Sequence, residues 1–125
     1  MTFKPVDHKY ELQITQGIYL KCRTYTGKHV SIRCRVGGFS AWLHDIPFEH
    51  FCQGIRILKA NTDFEVHTLR CPFCAEWTPY GGMTLAHNDG CIEVCCDRAR
   101  AQLFLEYAED FIQEVKEHID AAQVA

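Results

Sequence analysis

The chain has 125 residues, 47% of them hydrophobic and 23% charged, with a net charge of −3. This length suits one domain of ordinary size, and the composition is that of a globular protein rather than a disordered or fibrous one. No stretch reaches the roughly 18 apolar residues of a membrane helix, and the first residues, Met1 to His8, lack the apolar centre of a secretory leader.

Eight cysteines in such a chain raise the possibility of a secreted disulfide scaffold. Without a leader, the expectation is reduced thiols in a cytoplasmic protein. Charge is unevenly spread. Residues 1–60 carry nine Lys and Arg against four Asp and Glu, a balance of +5. Residues 61–96 carry one against five, and residues 97–125 three against seven, −4 in each case. A molecule with a basic and an acidic end is expected.

In chain order, Tyr10–Ile14 reads as a first strand. Ile18, Leu20 and Cys22 then alternate with Tyr19, Lys21 and Arg23, and beyond Thr26-Gly27 the residues Val30, Ile32, Cys34 and Val36 alternate with Ser31, Arg33 and Arg35. Period-two alternation marks half-buried strands, here a hairpin closed by a short loop. Its inner face holds Cys22 and Cys34, expected as core residues because free cysteine is among the most buried types. Its outer face collects Lys21, Arg23, Arg33 and Arg35, with Tyr19 and Tyr25 on the same side. That face is either solvated or a contact surface for phosphates or an acidic protein. Gly37-Gly38 ends the hairpin, and Phe39–Leu43 is ambiguous. A helix is expected from Pro47 to Leu58, capped by Asp45, with Phe48, Phe51, Cys52, Ile55 and Leu58 as its apolar stripe. Gly54 weakens that helix by about 1 kcal/mol relative to alanine. Phe64–Arg70 reads as a further strand.

Cys71-Pro72-Phe73-Cys74 is the densest chemical signal. Two thiols two residues apart can close on one metal ion, and His87, Cys91, Cys95 and Cys96 follow. A tetrahedral Zn2+ site is the simplest reading. Cys71, Cys74 and Cys91 are the favoured ligands, with Cys95, Cys96 or His87 as the fourth, in that order. The alternation of Ile92-Glu93-Val94 suggests a strand that would part Cys91 from Cys95 by roughly 13 Å, too far for one ion. Cys95 and Cys96 precede a helix whose amides would favour thiolate.

The run from Cys71 to Pro79, C-P-F-C-A-E-W-T-P, resembles a zinc-ribbon knuckle. It is similar to that of the small restriction-alleviation proteins of phages and enterobacteria, and to the first knuckle of bacterial primase zinc domains, whose pattern is C-P-F-H-x-E-x-T-P. Cys74 stands where the primase pattern has histidine, and the second knuckle is C-x3-C-C. The resemblance covers under a tenth of the chain and implies a ribbon-like zinc fold.

From Asp97 to about Ala122 the chain has no Gly or Pro. Phe104, Ala108, Phe111, Val115, Ile119 and Ala122 form one apolar stripe opposite Glu106, Glu109, Asp110, Glu117 and Asp120. At 1.5 Å per residue the helix spans roughly 39 Å, so its distal part, around Val115 and Ile119, is expected to meet a partner or a second copy in a homodimer.

Catalytic patterns are missing. No H-x-E precedes P-C-x-x-C, as zinc deaminases require, and there is neither a phosphate-binding loop nor a nucleophile elbow. The expected architecture is α+β: residues 1–64 mainly β with a short helix, residues 65–96 a zinc-stapled ribbon, and residues 97–122 a long amphipathic helix. The expected role is non-catalytic binding of a protein partner by a phage or bacterial regulator. Nucleic-acid binding through the basic hairpin and ribbon is the alternative; a structural subunit and a zinc enzyme rank lower.

Overall fold

A computed structural model describes residues 2–7, 11–60, 73–77, 82–87 and 90–123. The alternation in the first half is realised as an antiparallel sheet of five strands, β1 (Val6–Asp7), β2 (Leu12–Thr15), β3 (Ile18–Thr24), β4 (His29–Val36) and β5 (Phe39–Pro47). β3 pairs with both β1 and β2 along one edge, and β4 and β5 follow on the other side. The tight turns fall at Gly17, Gly27 and Gly37, with φ of 78°, 75° and 60°. Only glycine enters this left-handed region without steric cost. The turn between β3 and β4 is further pinned by Thr24, whose Oγ1 accepts from the Gly27 amide at 3.0 Å and donates to the His29 carbonyl at 2.6 Å.

Phe39–Leu43 resolves as strand. β5 runs on to Pro47 and contains a bulge, because three steps from Leu43 to Ile46 oppose two steps from Ile32 to Val30. Asp45, expected as a helix cap, sits in that bulge with φ 56°. Pro47 closes β5 opposite His29 rather than opening the helix. The helix α1 spans Phe48–Ala60 and buries Phe51, Gly54, Ile55 and Leu58.

A second sheet holds β6 (Phe73–Trp77), β7 (Met83–His87) and β8 (Gly90–Val94) in sequential antiparallel order. The expected strand Phe64–Arg70 lies outside the described residues. The last helix, α2, spans Arg98–Gln123. Its cap is Asp97, whose Oδ1 accepts from the Arg100 amide at 2.8 Å, the bond of an N-cap side chain. The α+β architecture read from the sequence is therefore the observed one, with an N-terminal antiparallel sheet, a short helix and a long C-terminal helix. None of the described helices is long and apolar enough to cross a membrane.

Both helices pack on one face of the five-stranded sheet, where Leu20, Cys22, Val30, Ile32, Leu43 and Ile46 are buried. Cys22 and Cys34 are core residues, as expected, and burial pushes both thiols up from their ordinary pKa. One hydrophobic cluster runs from this sheet through both helices into the second sheet. Its centre is Phe51, 5.6 Å from Phe73 of β6 and 5.9 Å, edge-on, from Phe111 of α2. The Tyr107 hydroxyl accepts a bond from the Cys22 amide at 3.3 Å, tying α2 to β3.

The stripe of α2 is covered almost to its end. Val115 is fully buried, and Ile119 is half-buried against the core. The N-terminal segment supplies part of the cover. His118 Nδ1 lies 2.8 Å from the Lys4 carbonyl, and Phe3 meets the His118 ring edge-on at 6.0 Å. Val115 therefore belongs to the chain's own core and is not an open contact for a partner, contrary to expectation. A chain end that folds back leaves no periodic trace, so the sequence pattern did not reveal this cover.

Candidate functional site

The face of the five-stranded sheet away from the helices carries the basic residues of the hairpin. Register places them in three cross-strand rows: Asp7, Arg23 and Ser31; Lys21, Arg33 and Trp42; and Tyr19, Arg35 and Ser40. Directly opposed residues share a face, so three arginines, a lysine and two aromatic rings form one patch. Among the described elements, none packs over it.

The arginines lie on the rings. The Arg23 guanidinium carbon is 4.0 Å from the centre of Trp42 and 5.2 Å from that of Tyr25. Arg33 lies 5.7 Å from Trp42, and Arg35 lies 4.3 Å from Tyr19. His44 stacks on Trp42 at 5.3 Å with 12° between the planes. Such contacts are worth about 0.5–1 kcal/mol each at exposed sites; their larger effect is to hold flexible side chains in place.

Two carboxylates enter the patch. Lys21 pairs with Asp7 at 3.1 Å, and Glu11 receives both Arg33 and Arg35 at 3.0 Å. The hydrogen bond from Arg35, helped by both guanidinium charges, holds the Glu11 carboxyl below the usual carboxylate range. Arg23 has no carboxylate partner among the described residues, and the Nε atoms of Arg23 and Arg33 have no hydrogen-bond partner there. Trp42 and Glu11 are the residues that sequence reasoning missed. Trp42 lay in the ambiguous run after Gly37-Gly38; its place in the row of Arg33 follows only from the pairing of β4 with β5.

The expected metal ligands are spread over the second sheet. Cys71 lies outside the described residues. Cys74 is a position of β6, opposite Ala86, which in turn stands opposite Cys91, so the backbone positions of Cys74 and Cys91 lie in one row two strand spacings apart. Cys91 is exposed, whereas His87, one row away, is buried on the other face with Met83 and Leu85. His87 and Cys91 thus face opposite sides. β8 is extended through Val94, so Cys91 and Cys95 stand roughly 13 Å apart along the chain. That separation is wider than two ligands of one ion span, which speaks against Cys95 beside Cys91, while Cys96 lies in the segment between β8 and α2.

Cys96 is half-buried, and burial first, then the negative charge of Asp97, pushes its thiol up. The helix start was expected to favour thiolate, but Asp97 occupies the capping position. Cys52 is half-buried at the lip of a cavity of about 190 Å³ between α1 and α2, not in the core proper. Six cysteines, Cys22, Cys34, Cys52, Cys91, Cys95 and Cys96, are free thiols. No group of three or more metal-binding side chains comes together among the described residues.

Compared with family models, curated proteins and solved structures, the chain gives no match in any of the three.

Proposed function

We propose that this protein is a non-catalytic nucleic-acid-binding protein that uses the outer face of its five-stranded sheet, with its second sheet stapled by zinc. One observation carries the reading: arginines and aromatic rings interleave on an uncovered face, with Arg23 on Trp42 and Arg35 on Tyr19. Guanidinium groups meet phosphates and aromatic faces meet bases. Four cations, Lys21, Arg23, Arg33 and Arg35, stand there against Asp7 and Glu11. The acidic residues of α2, including Glu106, Asp110 and Glu117, are exposed on the helix that packs against the other side of the sheet. A net negative chain can thus present a positive face.

The expectation of a protein partner drew on the long helix, its acidic face and the negative net charge; burial of Val115 takes one apolar contact on that helix out of consideration. A protein contact keeps one specific observation in its favour, the sheet end where Phe39 is 85% and Val36 50% exposed. For the metal, Cys71, Cys74 and Cys91 are the proposed thiolates. Zinc there would hold the start of β6 to β8 and stiffen a sheet of only three strands.

The test is binding of labelled DNA and RNA, measured by anisotropy at low salt. Affinity should fall as salt rises, because neutralised phosphates release counterions. Arg23→Glu, which breaks no ion pair among the described residues, should weaken binding by about tenfold or more. No binding to any nucleic acid at low salt overturns the reading.

A further inference from the structure

Resting on that reading of the outer face, we infer that its ligand is a single strand with unpaired bases, held mainly by stacking on Trp42, Tyr25 and Tyr19. Charge is the first reason. Of the four cations on the face, Lys21 is paired to Asp7, while Arg33 and Arg35 share Glu11. Among the described residues, two acids against four cations leave a net charge of +2 on the face, enough to offset about two phosphates, with Arg23 alone outside the ion pairs. Counterion release then gives a salt slope of only about −1.4 for a single strand. A duplex-binding protein that makes six to ten phosphate contacts has a far steeper dependence. The charge that the described residues place on the face is too small to hold a duplex by its backbone.

Shape is the second reason. Reading a duplex requires an element that enters a groove, as a helix or a two-stranded ribbon does in the major groove of B-DNA. Both described helices lie on the other side of the sheet. Tyr19 stands within the sheet between β2 and β4, and Trp42, on the edge strand β5, is held in a stack with Arg23 and His44 rather than projecting toward a groove. Unstacked bases can come down onto such rings.

The rings themselves are the third reason. Tyr25 is 59% exposed, and Arg23 lies between it and Trp42, which stacks in turn with His44. A base added at Tyr25 would extend a column already in place. Tyr19, with Arg35 over it, forms a second platform four residues before Arg23, roughly 13 Å along β3. Two platforms joined by a row of arginines match the combination of stacking surface and basic track by which single strands are held. Glu11 limits the electrostatic share, because its carboxylate already occupies two of the arginines.

The test compares four probes on the full-length protein at one salt concentration: a short oligothymidylate, the matching oligouridylate, a duplex of the same length, and an abasic strand with the same phosphates. Either single strand should bind about tenfold or more tightly than both the duplex and the abasic strand. Its binding should quench tryptophan fluorescence, and the quench should be lost in Trp42→Phe. Tyr25→Ala, at an exposed loop position, should weaken the single strand about fivefold or more and leave the abasic strand unchanged. Thermal melts of both variants check that the fold is intact. Equal affinity for the duplex or the abasic strand overturns the stacking inference while nucleic-acid binding stands. Binding by none of the four overturns both.

Discussion

Gly54→Ala is a direct probe of how the second sheet is docked. Gly54 lies in the middle of α1, where alanine is favoured over glycine by about 0.8–1 kcal/mol. By local propensity the substitution should stabilise. The structure reverses the sign. A methyl group at Gly54 would run into Cδ1 of Phe73 and stand 2.7 Å from its Cε1. Phe73 cannot swing aside, because it is fully buried and packed against Phe51 at 5.6 Å. Overpacking of this kind costs about 1–3 kcal/mol. With two ring atoms inside contact distance the upper part of that range applies, and the net loss is about 1–2 kcal/mol after the helix gain. For a chain of this length that lowers the melting temperature by about 4–8 °C. Urea unfolding of the single variants and of Gly54→Ala with Phe73→Leu completes a double-mutant cycle. The leucine should recover part of the loss by vacating the space the methyl needs. A Gly54→Ala variant more stable than the parent would show that β6 is not seated on α1, and the reasoning fails with it.

Three further outcomes are expected. Val115→Glu places a carboxylate in the closed core and should cost at least about 3 kcal/mol; circular dichroism of a folded, soluble variant would return Val115 to the surface. Glu11 has its folded pKa below its unfolded one, so the stability it contributes is fully present above about pH 4.3 and is lost as pH falls through the lower folded value. Acid unfolding of Glu11→Gln should therefore be less steep below about pH 4.3 than that of the parent, and identical curves would remove the Glu11 clamp. Metal analysis should find about one zinc per chain, lost in Cys74→Ser and Cys91→Ser but retained in Cys95→Ser; loss in Cys95→Ser equal to that in Cys74→Ser would mean that β8 does not remain extended around the ion.

The position of Trp42 bears on any binding role. Its partner in the next strand is Arg33, and the Arg23 side chain lies over it from β3, two strands away. A change that shifts the register of β5 by one residue would send Trp42 to the helix side and dissolve the patch, since successive strand residues face opposite ways. The bulge at Asp45 lies beyond Trp42 toward α1, so it leaves the pairing of residues 39–43 regular.

The sequence by itself determined what depends on near neighbours along the chain. Alternation in Ile18–Thr24 and His29–Val36 encoded two strands and the sidedness of their basic residues. The turn at Gly27, the strand around Ile92, and the long helix beginning near Asp97 were legible for the same reason, since each follows from backbone geometry and side-chain periodicity over a few residues. Tertiary structure alone decided which surfaces remained uncovered. The stripe of α2 looked too long for its own sheet until Phe3 and Lys4 folded across its far end. Gly54 looked like a weak point in a helix until Phe73 filled the space above it. His87 and Cys91 looked like neighbouring ligands until pairing of β7 with β8 set them on opposite faces. Burial and proximity arise from contacts between segments distant in sequence, and no local period records which segments will meet.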